Sequence, residues 1–193
     1  TEAMGMKPDL ITVAKGVTSA YVPLSASLVS EKVWRAIVSG SDKLGVFGHG
    51  FTYSGHPIAA AAALANLKII EDDNLVAQAG ARGEVMHKHL RAAFADHPAV
   101  GDVRGFGLIG AVEFVAERNP AKRFDPALKV GLRVAKAALA NGLITRGLPD
   151  GDSIAFSPPF VISEDEIAEM VKRARLVVDQ VFGELKAEGH WKG

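Results

Sequence analysis

Three positions in this 193-residue sequence carry side chains whose type and setting suit reaction with a small anionic molecule. Lys15 stands between an apolar run, Leu10, Ile11, Val13 and Ala14, and the small residues Gly16, Thr18, Ser19 and Ala20. A lysine delivered at the end of a buried strand is partly desolvated, which disfavours the ammonium and brings the free amine toward neutral pH. Such an amine can condense with a carbonyl carbon. Thr52, flanked by Phe51, Tyr53 and Ser54, precedes Pro57 and an alanine-rich run that reads as a helix. Hydroxyls and free amides at a helix amino terminus make a phosphate cradle. Arg146 follows Leu143, Ile144 and Thr145, read as a short strand, and leads into a flexible loop. A guanidinium there offers its planar fork to a carboxylate.

Each position also has a plainer reading. Most lysines that follow a strand are solvated loop residues. Thr52 to Ser54 read equally as the entry to a helix whose small face packs closely on another. Arg146, taken by residues alone, reads as a surface arginine paired with Asp150 or Asp152. Gly45, Gly48 and Gly50 let backbone amides approach a ligand, or mark only a mobile loop. His49 and His56 read as structural. His87 and His89 are two apart, face different directions on a helix, and read as solvated surface, so no metal site is expected.

The elements that position these residues follow in order. Pro8 and Asp9 punctuate the start of the strand before Lys15. Leu24 to Val38 reads as a strand and a short helix capped by Ser30, with Glu31 in its first turn, and Gly40 to Gly50 as a loop. Asp72, Asp73 and Asn74 mark a boundary, after which Leu75 to Phe94 forms a long helix ended by Asp96, His97 and Pro98. Val100 to Val115 reads as two strands about Gly105, Gly107 and Gly110; its RGFG string lacks the third glycine of a dinucleotide fingerprint. Asp125 and Pro126 open a helix that Asn141-Gly142 closes, with Leu128, Leu132, Ala135 and Leu139 toward the core. Ser153 to Phe156 is a strand. Ser163 and Glu166 form a capping box, and Ile162 and Ile167 a hydrophobic staple, on the last helix. Gly183 onward reads as a frayed tail.

Composition sets outer limits. With 48% hydrophobic and 23% charged residues the chain is an ordinary globular one, and a formal charge of +0 without long runs of one sign points to neither nucleic acid nor a membrane surface. No apolar run reaches the length of a membrane span. The absence of cysteine excludes disulfides and thiolate metal sites and fits a reducing compartment, so a cytoplasmic location is expected. The chain opens at Thr1 almost directly on a strand, as if within a domain.

PDLITVAKGVTSAYVPLSASLVS (Pro8 to Ser30), FTYSGHP and GLITRGLPDGDSIAFSPPFVIS occur in order. Together they resemble class III aminotransferases, fold type I enzymes that use pyridoxal phosphate. Ala20 and Ser25 stand where many members have glycine. The resemblance implies an α/β fold: residues 1–72 as the later part of a large cofactor-binding domain with a mixed sheet and helices, and residues 73–193 as a small C-terminal α+β domain. It implies Lys15 as the Schiff-base lysine. Phe51 and Thr52 would reach the cofactor phosphate of the neighbouring subunit in a homodimer, and Arg146 would bind the carboxylate of a keto acid such as pyruvate. Arg104, in the RGFG stretch, is architectural. The implied reaction is amino transfer from an omega-amine or omega-amino acid. An aminomutase or racemase of the same fold is the neighbouring alternative, and an inactive fragment or binding module is the alternative from another class. An acidic partner for the pyridinium nitrogen is not supplied by Asp9, which is too near the lysine on the same strand.

Overall fold

The computed structural model describes residues 2–148 and 151–193. Pro149 and Asp150 lie outside the described residues, so the expected pairing of Arg146 with Asp150 does too. The chain divides into two compact units, Thr1–Asp73 and Asn74–Gly193, so the first extends one residue past Asp72.

In the first unit, β1 (Leu10–Ala14) pairs antiparallel with β2 (Ser25–Val29), Ala14 opposite Ser25. The connection holds a 3-10 turn, Lys15–Thr18. Helix α1 (Glu31–Leu44) begins at Ser30, whose hydroxyl accepts from the Val33 amide. It runs past Gly40, expected in a loop, and stops at Gly45, where φ is +88°. One glycine costs a helix only about 1 kcal/mol, too little to end a 14-residue amphipathic element. Helix α2 (Pro57–Asp72) starts on Pro57.

The expectation that the strand before Lys15 is buried does not hold in this chain. Leu10 is 62% exposed and β1 alternates between exposed and half-buried positions. Among the described residues β1 is hydrogen-bonded to β2 alone, and the two make the whole of their sheet. A two-stranded ribbon buries little on its own. Among the described residues of this unit only Thr18, Ala59 and Ala63 are buried, while Trp34, Phe47, Phe51, Tyr53 and Leu64 are exposed.

The second unit has the core. Helix α3 (Leu75–Phe94) leads to the hairpin β3 (Val100–Phe106) and β4 (Ile109–Phe114), followed by the small ribbon β5 (Glu117–Arg118) and β6 (Ala121–Lys122). Helix α4 (Val130–Ala140), β7 (Arg146–Gly147), β8 (Ser153–Phe156) and α5 (Glu164–Ala187) complete it. The main sheet is antiparallel in the order β3-β4-β8-β7. Val112 and Phe114 on β4 and Ile154 and Phe156 on β8 alternate inward. They join Met86, Leu90 and Phe94 of α3 and the buried stripe Ile167, Val171, Ala174, Val178 and Val181 of α5 in one core. The capping box is complete: Ser163 accepts from the Glu166 amide, and the Glu166 carboxylate accepts from that of Ser163. Such a cap is worth about 1 kcal/mol.

Several details differ from expectation. Asp125 and Pro126 open a separate 3-10 turn, Pro126–Leu128, and Lys129 at φ +48° breaks it from α4. Leu132 and Leu139 are exposed, and Val130, Val134 and Ala138 face the core instead. Helix α4 is apolar on more than one side, so spacing alone could not choose its inner face; contact with α5 and β8 does. His87 is buried, not solvated: its Nε2 donates to the carbonyl of Gly107, 2.9 Å away. The tail is not frayed. Leu185 is fully buried, Arg133 grips both carboxylate oxygens of Glu188 at 2.7 and 2.8 Å, and Trp191 packs on the core.

Among the described residues no helix is long and apolar enough to cross a membrane, and no group of acidic and histidine side chains is set to hold a metal.

Candidate active site

Lys15 occupies the first position of the turn after β1 with φ +56°, and Ser19 and Ala20 close the same turn at +49° and +61°. For residues with a Cβ this left-handed conformation costs about 1–2 kcal/mol each. The Ala20 amide donates to the carbonyl of Lys15 at 3.1 Å, Ser19 to Gly16 at 3.2 Å, and the buried Thr18 hydroxyl to Val22 at 2.6 Å. From α2, the Asn66 amide donates to the carbonyls of Gly16 at 2.8 Å and Val17 at 3.1 Å. Lys15 therefore opens a strained turn that is held by its own hydrogen bonds and by Asn66.

The Lys15 side chain is exposed, with no ion-pair partner among the described residues. It borders an open concavity of about 580 Å³ that Ala20, Val22, Pro23 and Ser25 also line. The burial expected to desolvate the amine is not supplied by this chain, because the strand carrying it is itself exposed. Asp9 is engaged elsewhere: it accepts from Ser30 at 2.7 Å and pairs with Lys32 at 2.8 Å. The hydrogen bond from Lys32 holds its carboxyl below the ordinary carboxylate range.

Phe51 and Thr52 are exposed just before α2, and neither lines the concavity at Lys15. The Phe51 amide donates to the Ser54 hydroxyl at 2.8 Å, and the Ser54 amide donates back to the Phe51 carbonyl at 2.9 Å. The hydroxyl of Thr52 has no hydrogen-bond partner among the described residues.

Arg146 opens a two-residue strand, where it was expected to close one. Leu143 to Thr145 are not paired: the Leu143 amide donates to Ala138 and that of Gly142 to Leu139, closing α4. The Thr145 hydroxyl donates to Ala155 at 2.6 Å. Pairing starts only with Arg146 opposite Ala155. Its neighbour Gly147 fits against α4 so closely that a Cβ would meet the Gly131 carbonyl oxygen at 2.8 Å. The Arg146 side chain is exposed and has no ion-pair partner among the described residues. Asp152, the other expected partner, is buried and accepts from the Phe124 amide at 3.1 Å. Burial pushes its carboxyl up. Asp152 lines a cleft of about 670 Å³ with Arg123, Phe124 and Lys129, and Arg146 does not. Arg104 bridges Asp102 at 2.9 Å and Glu113 at 2.5 Å across the β3-β4 hairpin, which makes it architectural.

Sequence reasoning missed Asn66, which is an unremarked polar residue in an alanine-rich helix. Its spacing of three from Ala63 and seven from Ala59 was the available signal, since it places a polar group on the buried face.

The class-III aminotransferase family model matches residues 1–178, and the chain belongs to that family. It is 53% identical over 185 residues to an uncharacterised aminotransferase of Sinorhizobium fredii, covering 96% of this chain and 40% of that protein. It is 48% identical to a diaminobutyrate–2-oxoglutarate transaminase of Halomonas elongata, covering 96% and 39%. The omega transaminase of Pseudomonas jessenii, solved in complex with PMP, superposes with a TM-score of 0.90 at 39% identity over 96% of this chain and 40% of that one. The chain thus spans about 40% of the length of the relatives it matches.

Enzymes of this family use pyridoxal phosphate. The residues here fit its aldehyde end, because Lys15, without an ion-pair partner among the described residues, lines an open concavity.

Proposed function

We propose that this chain supplies the lysine, a phosphate contact and the carboxylate-binding arginine of a pyridoxal phosphate-dependent transaminase. The reaction moves an amino group from an omega-amine or omega-amino acid to a keto acid such as pyruvate. One observation carries the reading: Lys15, with no ion-pair partner among the described residues, lines an open concavity from a turn held in a strained conformation. The cofactor, when bound, supplies an electron sink for the carbon that loses its proton. Lys15 Nζ would take that proton from the amine-bearing carbon of the donor and return it to the cofactor carbon that bears the nitrogen, so that the lysine ends without a net proton and water can release the carbonyl product. The small side chains of Ala20 and Ser25 leave the front of the amine open.

Thr52 Oγ1 and the Phe51 backbone are assigned to the phosphate in the site of a second copy, which makes the enzyme a homodimer with shared sites. Their exposure and their absence from the concavity at Lys15 support this. Phe51 can give its amide to phosphate by releasing Ser54. Arg146, with no ion-pair partner among the described residues and beside the tight Gly131–Gly147 contact, is assigned to the acceptor carboxylate. A cytoplasmic location belongs to the same proposal, and the cysteine-free sequence supports it.

The test uses the full-length protein with pyridoxal phosphate, an omega-amine donor, and pyruvate or 2-oxoglutarate, the acceptor for which the Halomonas relative is named. The expected results are alanine or glutamate as product and, after borohydride treatment, a cofactor adduct on Lys15 that Lys15→Ala abolishes. A rearranged or racemised donor without a new amino acid would point instead to the mutase or racemase chemistry. No adduct on Lys15 would end the reading.

A further inference from the structure

We propose that Asn66 is a positioning residue for Lys15, an inference that rests on Lys15 being the reactive lysine. Ala59, Ala63 and Asn66 recur at intervals of four and three residues along α2 and so share one face, which packs against the turn Lys15–Thr18. Ala59 and Ala63 are buried, and their lack of bulk lets the helix come close enough for a short side chain to reach the turn. The Asn66 amide then donates to two successive carbonyls, Gly16 at 2.8 Å and Val17 at 3.1 Å. These carbonyls belong to the two residues that follow Lys15.

The geometry makes Asn66 more than a generic helix contact. The Gly16 carbonyl already accepts from Ser19 within the turn, whereas the Val17 carbonyl has Asn66 as its one partner among the described residues. Lys15, Ser19 and Ala20 all hold positive φ without being glycine. A turn carrying that much local strain relaxes unless an outside contact fixes it. Any relaxation rotates the Cα–Cβ bond of Lys15 and swings its amine away from the concavity. Asn66 supplies the fixing contact from a helix, which is the stiffer of the two partners. Two N–H donors are needed on one short side chain, and an amide provides both.

The experiment compares full-length wild type with Asn66→Ala and with Asn66→Asp, which keeps the volume but offers carbonyls no donor. In the cofactor-free proteins, hydrogen exchange at the amides of Ser19, Ala20 and Tyr21 should speed up by about tenfold, in line with loss of one well-made hydrogen bond, while the amides of α5 are unchanged. In the loaded proteins, the pH midpoint of the visible absorbance of the lysine-bound cofactor should move by about half a unit or more, since the charge environment of Nζ changes with its position. The kcat should fall by about tenfold with the acceptor KM unchanged. If Asn66→Ala does not fold, Asn66→Asp is read alone, and Asn66→Ser, a shorter side chain with a single donor, gives an intermediate change on all three measurements. Unchanged exchange at the turn, or an unchanged absorbance midpoint, overturns the inference while the borohydride adduct on wild-type Lys15 still stands. Absence of that adduct from wild type overturns both readings together.

Discussion

The indole of Trp191 lies flat over the imidazole of His97, with ring centroids 6.3 Å apart and planes 8° from parallel. Both rings also meet Phe182 edge-on, at 5.3 Å from His97 and 5.1 Å from Trp191. The last residues of the chain are thereby fastened to the turn that ends α3. His97 Nδ1 accepts from the Ala99 amide at 3.2 Å, so the ring is neutral at that nitrogen, and Nε2 points toward Asp179 at 3.5 Å.

This arrangement has a pH signature. Burial, and next the charge of Arg175, push the His97 imidazole below its ordinary 6.5, against the opposing pull of Asp179 and Asp96. Below 6.5 the unfolded chain takes up a proton that the folded chain resists, so unfolding is favoured as pH falls. The stability is full above 6.5 and declines below it, toward the lowered value. Urea unfolding of wild type and His97→Gln from pH 7.5 to 5 should show a decline in the first that is reduced in the second. Trp191→Ala should cost about 2 kcal/mol at pH 7, less than the fully buried case because the ring is half-exposed.

Ala20 sits at φ +61°, a left-handed conformation that glycine adopts without strain. Relief of the left-handed penalty exceeds the extra freedom glycine gives the unfolded chain, so Ala20→Gly should stabilise by about 0.5–1 kcal/mol. Thermal unfolding at fixed pH reads the gain, and a lower midpoint would contradict the strain assigned to this turn.

Gly83 on α3 meets the β3-β4 turn at Gly107, and a Cβ on Gly83 would overlap the Gly107 carbonyl that His87 holds. Backbone cannot yield as a flexible side chain does. Gly83→Ala should therefore destabilise by about 2–3 kcal/mol although alanine favours the helix itself. Gly80→Ala, on the same helix with open space around it, should be neutral or stabilising. Urea unfolding of the two variants side by side makes the comparison.

Arg146→Ala should raise the KM for pyruvate by about tenfold or more, as loss of a charged two-point hydrogen bond does. The KM for a donor amine without a carboxylate should be unchanged. Steady-state kinetics with both substrates varied checks the assignment, and an unchanged pyruvate KM would remove Arg146 from the site.

Much of the architecture was legible in residue order because local signals were strong. Leu75–Phe94, the β3-β4 hairpin and the capped start of α5 each rest on short-range chemistry: turn glycines, a proline, a serine three residues before a glutamate. What remained hidden depended on residues distant in sequence. Asn66 is fifty positions from Gly16, and nothing near it announces the contact. Trp191 reads as tail until His97 and Phe182 are placed beneath it.

The linear order of residues by itself determined which segments become most of the helices and strands, and where the candidate lysine, threonine and arginine fall along them. Tertiary structure alone decided which face of α4 turns inward, that Asp152 and His87 are buried, and that Arg146 opens a strand paired with β8. The reason is physical: secondary structure follows from interactions among near neighbours, whereas burial and the direction of a side chain are set by whichever distant surface closes over it.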